Sequence, residues 1–349
     1  MKRPFAHRRL ALACSALLLC AQPAARGAAP AAGETLKDVT FSRYTERSDN
    51  AELARRLLSP LAAARLKSDV ARSGSALTGQ PIKLADERFI VYIPPQRPPK
   101  GFGLLVFVPP WDDARLPPGW STTLDHYGVV FVSAARSGND ENAFGRREPL
   151  ALLAAENIMA QYPVDPERIY VGGFSGGARV ALRLALGYPD LFRGAILNAG
   201  SDPIGNREIP LPPRDLFLKF QSSTRIVYVT GERDTAHETD DSMSLTSMHR
   251  WCVFNTDRQV EARAEHAVAG AAAMSRALRY LEESARAEPG RLAKCRAGID
   301  AELATSLDSV DTLISQGRGA DAHKQLAAID ERFGGLAAPR SVELAARLP

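Results

Sequence analysis

The sequence predicts an α/β fold with a mostly parallel central sheet, and three observations carry this prediction. Short apolar segments of strand length alternate with helical patterns between residues 84 and 283. The segments 104–108 and 129–132 are continuously apolar, which is typical of strands buried on both faces of a parallel sheet. A further apolar segment, 169–171, runs through a glycine-rich turn into a helical pattern. Parallel sheets of this kind bind their ligands at the carboxyl ends of the strands.

Each element follows from its own local pattern. Residues 28–35 are rich in alanine and glycine and predict a flexible start. The first helix begins at Asp49, whose role as a cap is supported by Glu52 three positions later, and it is kinked at Pro60. Helices are predicted at 49–67, 150–162 and 269–282. The predicted strands are, in chain order, 89–93, 104–108, 129–132, 169–171, 195–197, 225–229 and 252–254.

The composition divides the chain into four segments. Its 349 residues, 45% of them hydrophobic, suffice for one large catalytic core with appendages. The predicted segments are a signal peptide at 1–27, an N-terminal extension with one helix at 28–80, a catalytic domain at 81–288 and a helical segment at 289–349.

The helical segment at the C-terminus carries two apolar stripes at helical spacing, which predict a helical hairpin. Gly317 ends the first stripe, Gly334 and Gly335 end the second, and a shorter helix is predicted at 342–348. One such hairpin resembles a single tetratricopeptide unit, whereas a repeat array needs several units. We expect it to pack against the catalytic domain, and docking of a protein partner through these C-terminal helices remains open. The stripes consist of Ile299, Leu303, Leu307, Val310 and Ile314, and of Ala322, Leu326, Ile329 and Phe333.

The first 27 residues have the pattern of a secretory signal. They contain five basic residues, no acidic residue and a ten-residue apolar run at 10–19, and small residues at Ala25 and Gly27 predict cleavage after Gly27. The apolar run is too short to span a bilayer, and Leu19 is too large to precede a lipid-modified Cys20. Removal of the signal changes the formal charge from +4 to −1, which argues against a nucleic-acid partner. We expect an exported protein, periplasmic or extracellular, without a membrane span.

The cysteines have two interpretations. Cys14 and Cys20 lie in the signal, and the remaining Cys252 and Cys295 either form one disulfide or are separate buried thiols. No set of cysteines and histidines has the spacing of a metal site, so neither a metal nor a cofactor is expected.

The motif that carries the chemistry is G-x-S-x-G at residues 173–177. An abrupt turn from strand to helix holds its serine in a strained conformation, and only glycines fit two residues before and after it. The serine hydroxyl then stands above the amino end of the helix, where the N–H of Gly176 and the helix dipole stabilise an oxyanion. We predict Ser175 as a nucleophile. The alternative is a glycine-rich turn that only packs a strand on a helix.

An activated serine needs a base, and the base needs an orienting acid. The predicted strand 225–229 runs into a turn that ends at Asp234, which is the predicted acid. Asp240 and Asp241 lie further from the strand end and are expected at the surface, and Glu232 has less room to turn inward. In the alternative interpretation Asp234 only caps the following turn.

Three histidines after this acid are candidates for the base. His237 comes only three residues after it, too early for the base, and is expected at most to line the pocket. His249 precedes the apolar segment 252–254, whereas His266 follows that segment and lies just before a helix. We predict His266 as the base, with His249 as second choice. The alternative for His266 is a solvated position in a loop.

The segment 164–200, the turn 231–234 and the loop 266–270 together resemble the α/β-hydrolase superfamily. Within it the sequence is similar to secreted esterases of the polyhydroxybutyrate-depolymerase and feruloyl-esterase type. The resemblance covers about residues 84–283 and implies an α/β-hydrolase fold, with serine, acid and histidine in that order along the chain. The catalytic residues that it implies are Ser175, Asp234 and His266.

One departure from these esterases concerns the oxyanion hole. Many of them carry His-Gly after the third strand, whereas here the strand is followed by Pro109 and Pro110. Proline has no N–H to donate, so the first available amide is that of Trp111. We predict an oxyanion hole formed by the N–H groups of Gly176 and Trp111. The indole of Trp111 alternatively forms a wall of the acyl pocket or covers the edge of the sheet.

These residues predict an exported serine esterase that cleaves carboxylic esters through an acyl-enzyme and needs no cofactor. Residues 199–224 leave little room for a large lid, so we expect a small ester, or an accessible ester of a polymer or side chain, as substrate. One alternative is a serine peptidase of the prolyl-oligopeptidase type, although the chain has no room for the propeller domain that such enzymes usually carry. The other is a catalytically silent scaffold whose C-terminal helices bind a partner.

Overall fold

The computed structural model describes Met1 and residues 33–74, 79–80, 82–283 and 288–348. The predicted signal peptide at 1–27 lies, apart from Met1, outside these described residues. All the described residues except Met1 belong to one compact unit, Ala31–Pro349. Within the described ranges, no helix has both the length and the apolar character that a membrane span requires.

The fold is built on an eight-stranded sheet. Its strands lie in the order β1-β2-β4-β3-β5-β6-β7-β8. The β1–β2 and β2–β4 pairs are antiparallel, and the other five pairs are parallel. The strands are β1 (Glu34–Val39), β2 (Phe89–Ile93), β3 (Phe102–Val108), β4 (Val129–Ala134), β5 (Val164–Phe174), β6 (Gly194–Asn198), β7 (Arg225–Gly231) and β8 (Thr256–Glu261). The predicted α/β fold with a mostly parallel sheet is therefore confirmed.

Helices pack on both faces of this sheet. Along β3, Leu104 and Val106 enter one apolar core while Leu105 and Phe107 enter the other, because successive side chains of a strand point to opposite faces. Burial on both faces explains why the strand reads as a continuous apolar run. The helices are α1 (Asn50–Leu57), α2 (Pro60–Arg72), α3 (Trp120–Tyr127), α4 (Glu148–Gln161), α5 (Gly176–Gly187), α6 (Arg214–Ser223), α7 (Thr235–Arg250), α8 (Ala271–Glu282), α9 (Pro289–Ser315), α10 (Gly319–Phe333) and α11 (Arg340–Ala346).

The N-terminal region differs from its prediction in two places. The single helix predicted at 49–67 is two helices, because the Ser59 hydroxyl caps α2 and Pro60 starts it, a position that suits proline. Residues predicted as part of a flexible start enter β1, an edge strand antiparallel to β2. Its side chains are mostly exposed, so it lacks the apolar pattern of the inner strands.

The last strand also lies elsewhere than predicted. The apolar segment 252–254 forms the connection between α7 and β8, and its Cys252 and Val253 are fully buried there. The strand itself, β8, is at the edge of the sheet and has a polar sequence with partly exposed side chains. The apolar segment therefore contributes buried side chains to the core from a turn and not from a strand.

The predicted C-terminal helical hairpin is present as α9 and α10, with α11 as the shorter helix. Asp330 of α10 accepts a hydrogen bond from the Leu61 N–H at 3.0 Å and another from the Ser59 hydroxyl at 2.5 Å. The Phe333 ring meets Trp251 edge to face at 5.7 Å between centroids. A disulfide joins Cys252 to Cys295 of α9. The hairpin is thus part of the same compact unit as the sheet.

Candidate active site

Ser175 lies where β5 turns into α5, in a strained backbone conformation. Its φ is 54° and its ψ is −125°, a region that residues with a side chain rarely adopt. A Cβ on Gly173 would lie 2.3 Å from the Gly177 carbonyl carbon. A Cβ on Gly177 would lie 2.0 Å from the Val108 carbonyl oxygen. Both outer glycines of the motif are therefore required by close backbone contacts, as the sequence predicted.

Ser175, His266 and Asp234 form one hydrogen-bonded chain. The distance from Ser175 Oγ to His266 Nε2 is 3.1 Å, and that from His266 Nδ1 to Asp234 Oδ2 is 2.7 Å. The Asp234 side chain is only 6% exposed, whereas that of His266 is 39% exposed. When Nδ1 carries the proton and donates to the carboxylate, Nε2 offers a lone pair to the serine hydroxyl. The structure thus brings the three predicted residues together in the arrangement that a general base requires.

The environment of Asp234 favours its ionised form. Burial opposes ionisation, but the hydrogen bonds from His237 and His266 outweigh it and hold the pKa of Asp234 below its usual value. The turn that presents this carboxylate needs Gly231, because a Cβ there would lie 2.5 Å from the carbonyl oxygens of Ala264 and Glu265. The turn that carries Asp234 and the loop that carries His266 therefore approach each other through backbone contacts.

The other candidates for the acid and the base take part in other interactions. Asp240 forms an ion pair with Arg179 at 3.1 Å. Asp241, predicted at the surface, is fully buried, accepts a hydrogen bond from the Ser201 hydroxyl at 2.6 Å, and has a pKa raised by burial. Glu232 accepts from a backbone N–H of the 262–265 turn, and His249 lies 3.3 Å from a hydroxyl of β8.

Asn198 at the end of β6 is a site residue that sequence reasoning missed. Its Nδ2 donates to the Val229 carbonyl at 2.9 Å, and its Oδ1 accepts from the Ala269 N–H at 2.7 Å. The Trp120 indole donates to the Ala269 carbonyl at 2.8 Å from the other side. The loop that carries His266 is therefore fixed to the sheet and to α3. An asparagine that directly follows an apolar strand was the available signal.

His237 occupies a larger part of the site than predicted. Its Nδ1 lies 2.8 Å from Asp234 Oδ1, so Asp234 contacts one imidazole with each carboxylate oxygen. The rings of His237 and His266 are stacked, with centroids 4.2 Å apart and planes 17° apart. Phe174 also contacts the His266 ring, at 4.8 Å between centroids. The His266 ring therefore contacts two rings and one carboxylate.

The same three side chains form a candidate metal-binding group. Asp234, His237 and His266 each offer one ligand atom, and these atoms lie within 4.8 Å of one another. A carboxylate and two imidazoles are ligands that zinc accepts. The rings are nearly parallel, however, so their Nδ1 atoms point side by side toward the two carboxylate oxygens instead of converging on one point. This geometry fits a hydrogen-bonded cluster better than a metal centre.

The two amides predicted for the oxyanion hole are available. Among the described residues, neither the Gly176 N–H nor the Trp111 N–H donates a hydrogen bond. Gly176 is the first residue of α5, where the helix dipole adds partial positive charge. The Trp111 ring lies 6.1 Å from Phe174, the residue before the serine, and beneath the Arg115 guanidinium. The indole of Trp111 therefore borders the serine turn.

Asn139 is a second residue that the sequence did not indicate. A Cβ on Gly176 would lie 2.2 Å from Asn139 Oδ1, so this amide side chain covers the first residue of α5. The Asn139 N–H donates to the Pro110 carbonyl at 3.1 Å. The loop after β4 and the loop after β3 are thereby joined beside the serine.

Comparison with known proteins finds partial relatives. No protein-family model matches the chain. The chain is 34% identical over 95 residues to poly(3-hydroxyalkanoate) depolymerase C of Paucimonas lemoignei, and this match covers 24% of this chain and 23% of that protein. It is 26% identical over 98 residues to poly(3-hydroxybutyrate) depolymerase of Ralstonia pickettii, which covers 24% and 20%. The match thus spans less than a quarter of each relative's length.

Solved structures show only a distant likeness. FphF, a fluorophosphonate-binding serine hydrolase of Staphylococcus aureus, superposes with a TM-score of 0.46 at 12% identity and covers 57% of this chain and 93% of that chain. The order of the strands and the turn from β5 through Ser175 into α5 are features of the α/β-hydrolase fold. The chain has the α/β-hydrolase fold, and along 24% of its length it is similar to polyhydroxyalkanoate depolymerases.

Proposed function

We propose that this protein is a serine esterase that cleaves carboxylic esters through an acyl-enzyme. The observation that carries the proposal is the hydrogen-bonded chain from Ser175 through His266 to Asp234, which begins at the strained turn between β5 and α5. A serine without these partners is a weak nucleophile, whereas a serine beside an oriented imidazole is an activated one.

In the proposed reaction Ser175 Oγ attacks the ester carbonyl carbon while His266 Nε2 takes the hydroxyl proton. Asp234 stabilises the imidazolium that forms, and the N–H groups of Gly176 and Trp111 bind the oxyanion, each lowering the barrier by roughly 3–4 kcal/mol. His266 then returns its proton to the leaving alcohol as the acyl-enzyme forms. A water molecule, activated by the same imidazole, releases the acid and restores the serine.

The proposed substrate is a small ester or an accessible ester of a polymer or side chain. The side chain of His266 is 39% exposed, so the reacting atoms lie close to solvent and a bulky alcohol can leave without a rearrangement of the fold. The similarity to poly(3-hydroxyalkanoate) depolymerases supports a hydroxyacyl ester as the acyl donor, although it extends over only a quarter of this chain.

We also propose that the protein is exported to the periplasm or the extracellular space. The proposal rests on the signal-like pattern of residues 1–27 and on the disulfide between Cys252 and Cys295. Disulfides of this structural kind persist in oxidising compartments and are rare in the cytosol of mesophiles.

Hydrolysis of nitrophenyl acetate and nitrophenyl butyrate by purified protein tests the esterase proposal. We expect turnover by the wild-type protein and loss of nearly all of it in Ser175→Ala and His266→Ala, with their circular dichroism unchanged. An aminoacyl nitroanilide, measured in parallel, tests the peptidase alternative. Folded wild-type protein that cleaves neither ester would contradict the proposal, as would full activity in Ser175→Ala.

A further inference from the structure

We infer that His237 is a positioning residue that fixes the Asp234 carboxylate and the His266 ring for the reaction. The inference rests on the proposed esterase function and concerns the same site. It assigns His237 a role through its neighbours, without contact with the substrate.

The carboxylate of Asp234 is held by two donors instead of one. Its Oδ2 accepts from His266 at 2.7 Å, and its Oδ1 accepts from His237 at 2.8 Å. A carboxylate with a single partner keeps freedom of rotation about its terminal torsion, which is broad for aspartate. Two imidazole donors, one on each oxygen, fix the plane of the carboxylate. Asp234 is therefore oriented toward His266 before any substrate arrives.

The two rings also differ in how firmly the chain holds them. His237 lies in the first turn of α7, whereas His266 lies in the irregular stretch between β8 and α8. The ring of His237 is 20% exposed and that of His266 is 39% exposed, with 4.2 Å between the stacked ring centroids. A ring on a helix thus supports a more exposed ring on a loop. This contact limits the rotation of His266 away from the serine.

The other charged groups on or around α7 have partners of their own. Glu238 pairs with Arg258, Asp240 and Asp202 pair with Arg179, and Asp241 accepts from Ser201 and Thr230. The carboxylate that His237 contacts at 2.8 Å is that of Asp234.

Two substitutions separate the contributions of His237. His237→Phe retains a flat ring against His266 but removes the donor to Asp234, and His237→Asn retains an N–H donor but removes the ring. His249→Phe is the matched control, because this histidine lies on the same helix and outside the hydrogen-bonded chain. For each protein, kcat and KM for nitrophenyl butyrate are measured.

We expect His237→Phe to lower kcat roughly tenfold with little change in KM, because a displaced base affects the reaction more than binding. His237→Asn retains the donor to Asp234 and should recover part of kcat, and His249→Phe should keep the wild-type kcat and KM. A wild-type kcat in His237→Phe would overturn the inference.

A second readout separates this inference from the proposed function. The chemical shift of the His266 Nδ1 proton, measured by NMR at one neutral pH in Ser175→Ala protein, reports the hydrogen bond from His266 to Asp234. We expect this chemical shift to change when His237→Phe is added and to stay unchanged when His249→Phe is added. If the wild-type protein hydrolyses no ester, the esterase proposal fails while this measurement still decides whether His237 positions Asp234. An identical chemical shift with and without His237→Phe would refute the role of His237.

Discussion

The side chain of Asn198 accepts a hydrogen bond from the Ala269 N–H at 2.7 Å and so ties the end of β6 to the loop that carries His266. The same side chain donates to the Val229 carbonyl at the end of β7. One buried side-chain amide therefore joins the end of β6, the end of β7 and the loop that carries His266. The position of His266 therefore depends on this amide, although the contact is made through Ala269 of the same loop.

Replacement of Asn198 by alanine is expected to lower both stability and kcat. The Ala269 N–H loses its acceptor while it remains buried, which costs about 1–3 kcal/mol in the free energy of unfolding. Displacement of the His266 loop lowers kcat by roughly tenfold. Urea denaturation and ester turnover measure the two effects.

Asn157→Ala is the matched control for this substitution. Asn157 is equally buried and bonds the Arg43 backbone and the Leu153 carbonyl, away from the sheet edge. It should lose comparable stability and keep kcat. Equal kcat losses in both variants would show that Asn198 acts only on stability.

The glycines of the serine turn give a second prediction. Gly173→Ala places a methyl group 2.3 Å from the backbone of Gly177, a contact that only a backbone shift relieves. We expect little folded protein, or folded protein without ester turnover. Gly298→Ala is the control, because this glycine lies inside α9 with no atom within 4 Å of its added Cβ. It should raise stability by roughly 0.5–1 kcal/mol and leave kcat unchanged.

How much of the site can be predicted depends on how local the signals in the sequence are. The turn at Ser175 is specified by glycines at fixed offsets, so it could be predicted without knowledge of the fold. His237 could not, because its position depends on α7, whose buried residues are mainly polar and leave no apolar stripe in the sequence. β8 was misplaced for a related reason, since an edge strand can be polar while a buried turn is apolar.

The pKa of Asp234 predicts how stability depends on pH. This pKa is lower in the folded protein than the reference value of 3.8, so the ionised form is favoured by folding. The stabilisation is fully present above the unfolded pKa and is lost as the pH falls through the lower folded pKa. We expect wild-type stability to fall on acidification below about pH 4 more steeply than that of Asp234→Asn. Urea denaturation at several acid pH values measures the difference, and parallel curves would contradict the prediction.

The same carboxylate gives a prediction for catalysis. Asn in place of Asp234 can donate a hydrogen bond to Nδ1 of His266 and so favours the tautomer with the proton on Nε2. That tautomer cannot accept the serine proton, so kcat should fall by roughly 10⁴. Substrate binding is not expected to change, which steady-state kinetics and a competitive product inhibitor would show. An increase in KM with kcat unchanged would contradict this role.

The disulfide predicts a dependence of stability on oxidation. Cys252 and Cys295 are 43 residues apart, and closing a loop of this length lowers the entropy of the unfolded chain by an amount worth about 4 kcal/mol. Cys295→Ser should therefore lower the melting temperature and keep kcat at low temperature, because the bond lies away from Ser175. Reduction of the wild-type protein should produce the same loss. A melting temperature that does not respond to reductant would show that the bond is not formed.

Labelling with a fluorophosphonate probe tests the central claim most directly, because the probe reacts only with a serine that a neighbouring base activates. Purified protein is incubated with the probe beside Ser175→Ala, and the modified peptide is identified by mass spectrometry. We expect one adduct on Ser175 in the wild-type protein and none in the variant. Folded wild-type protein that stays unlabelled, or a variant that is labelled equally, would contradict the assignment of Ser175 as the nucleophile.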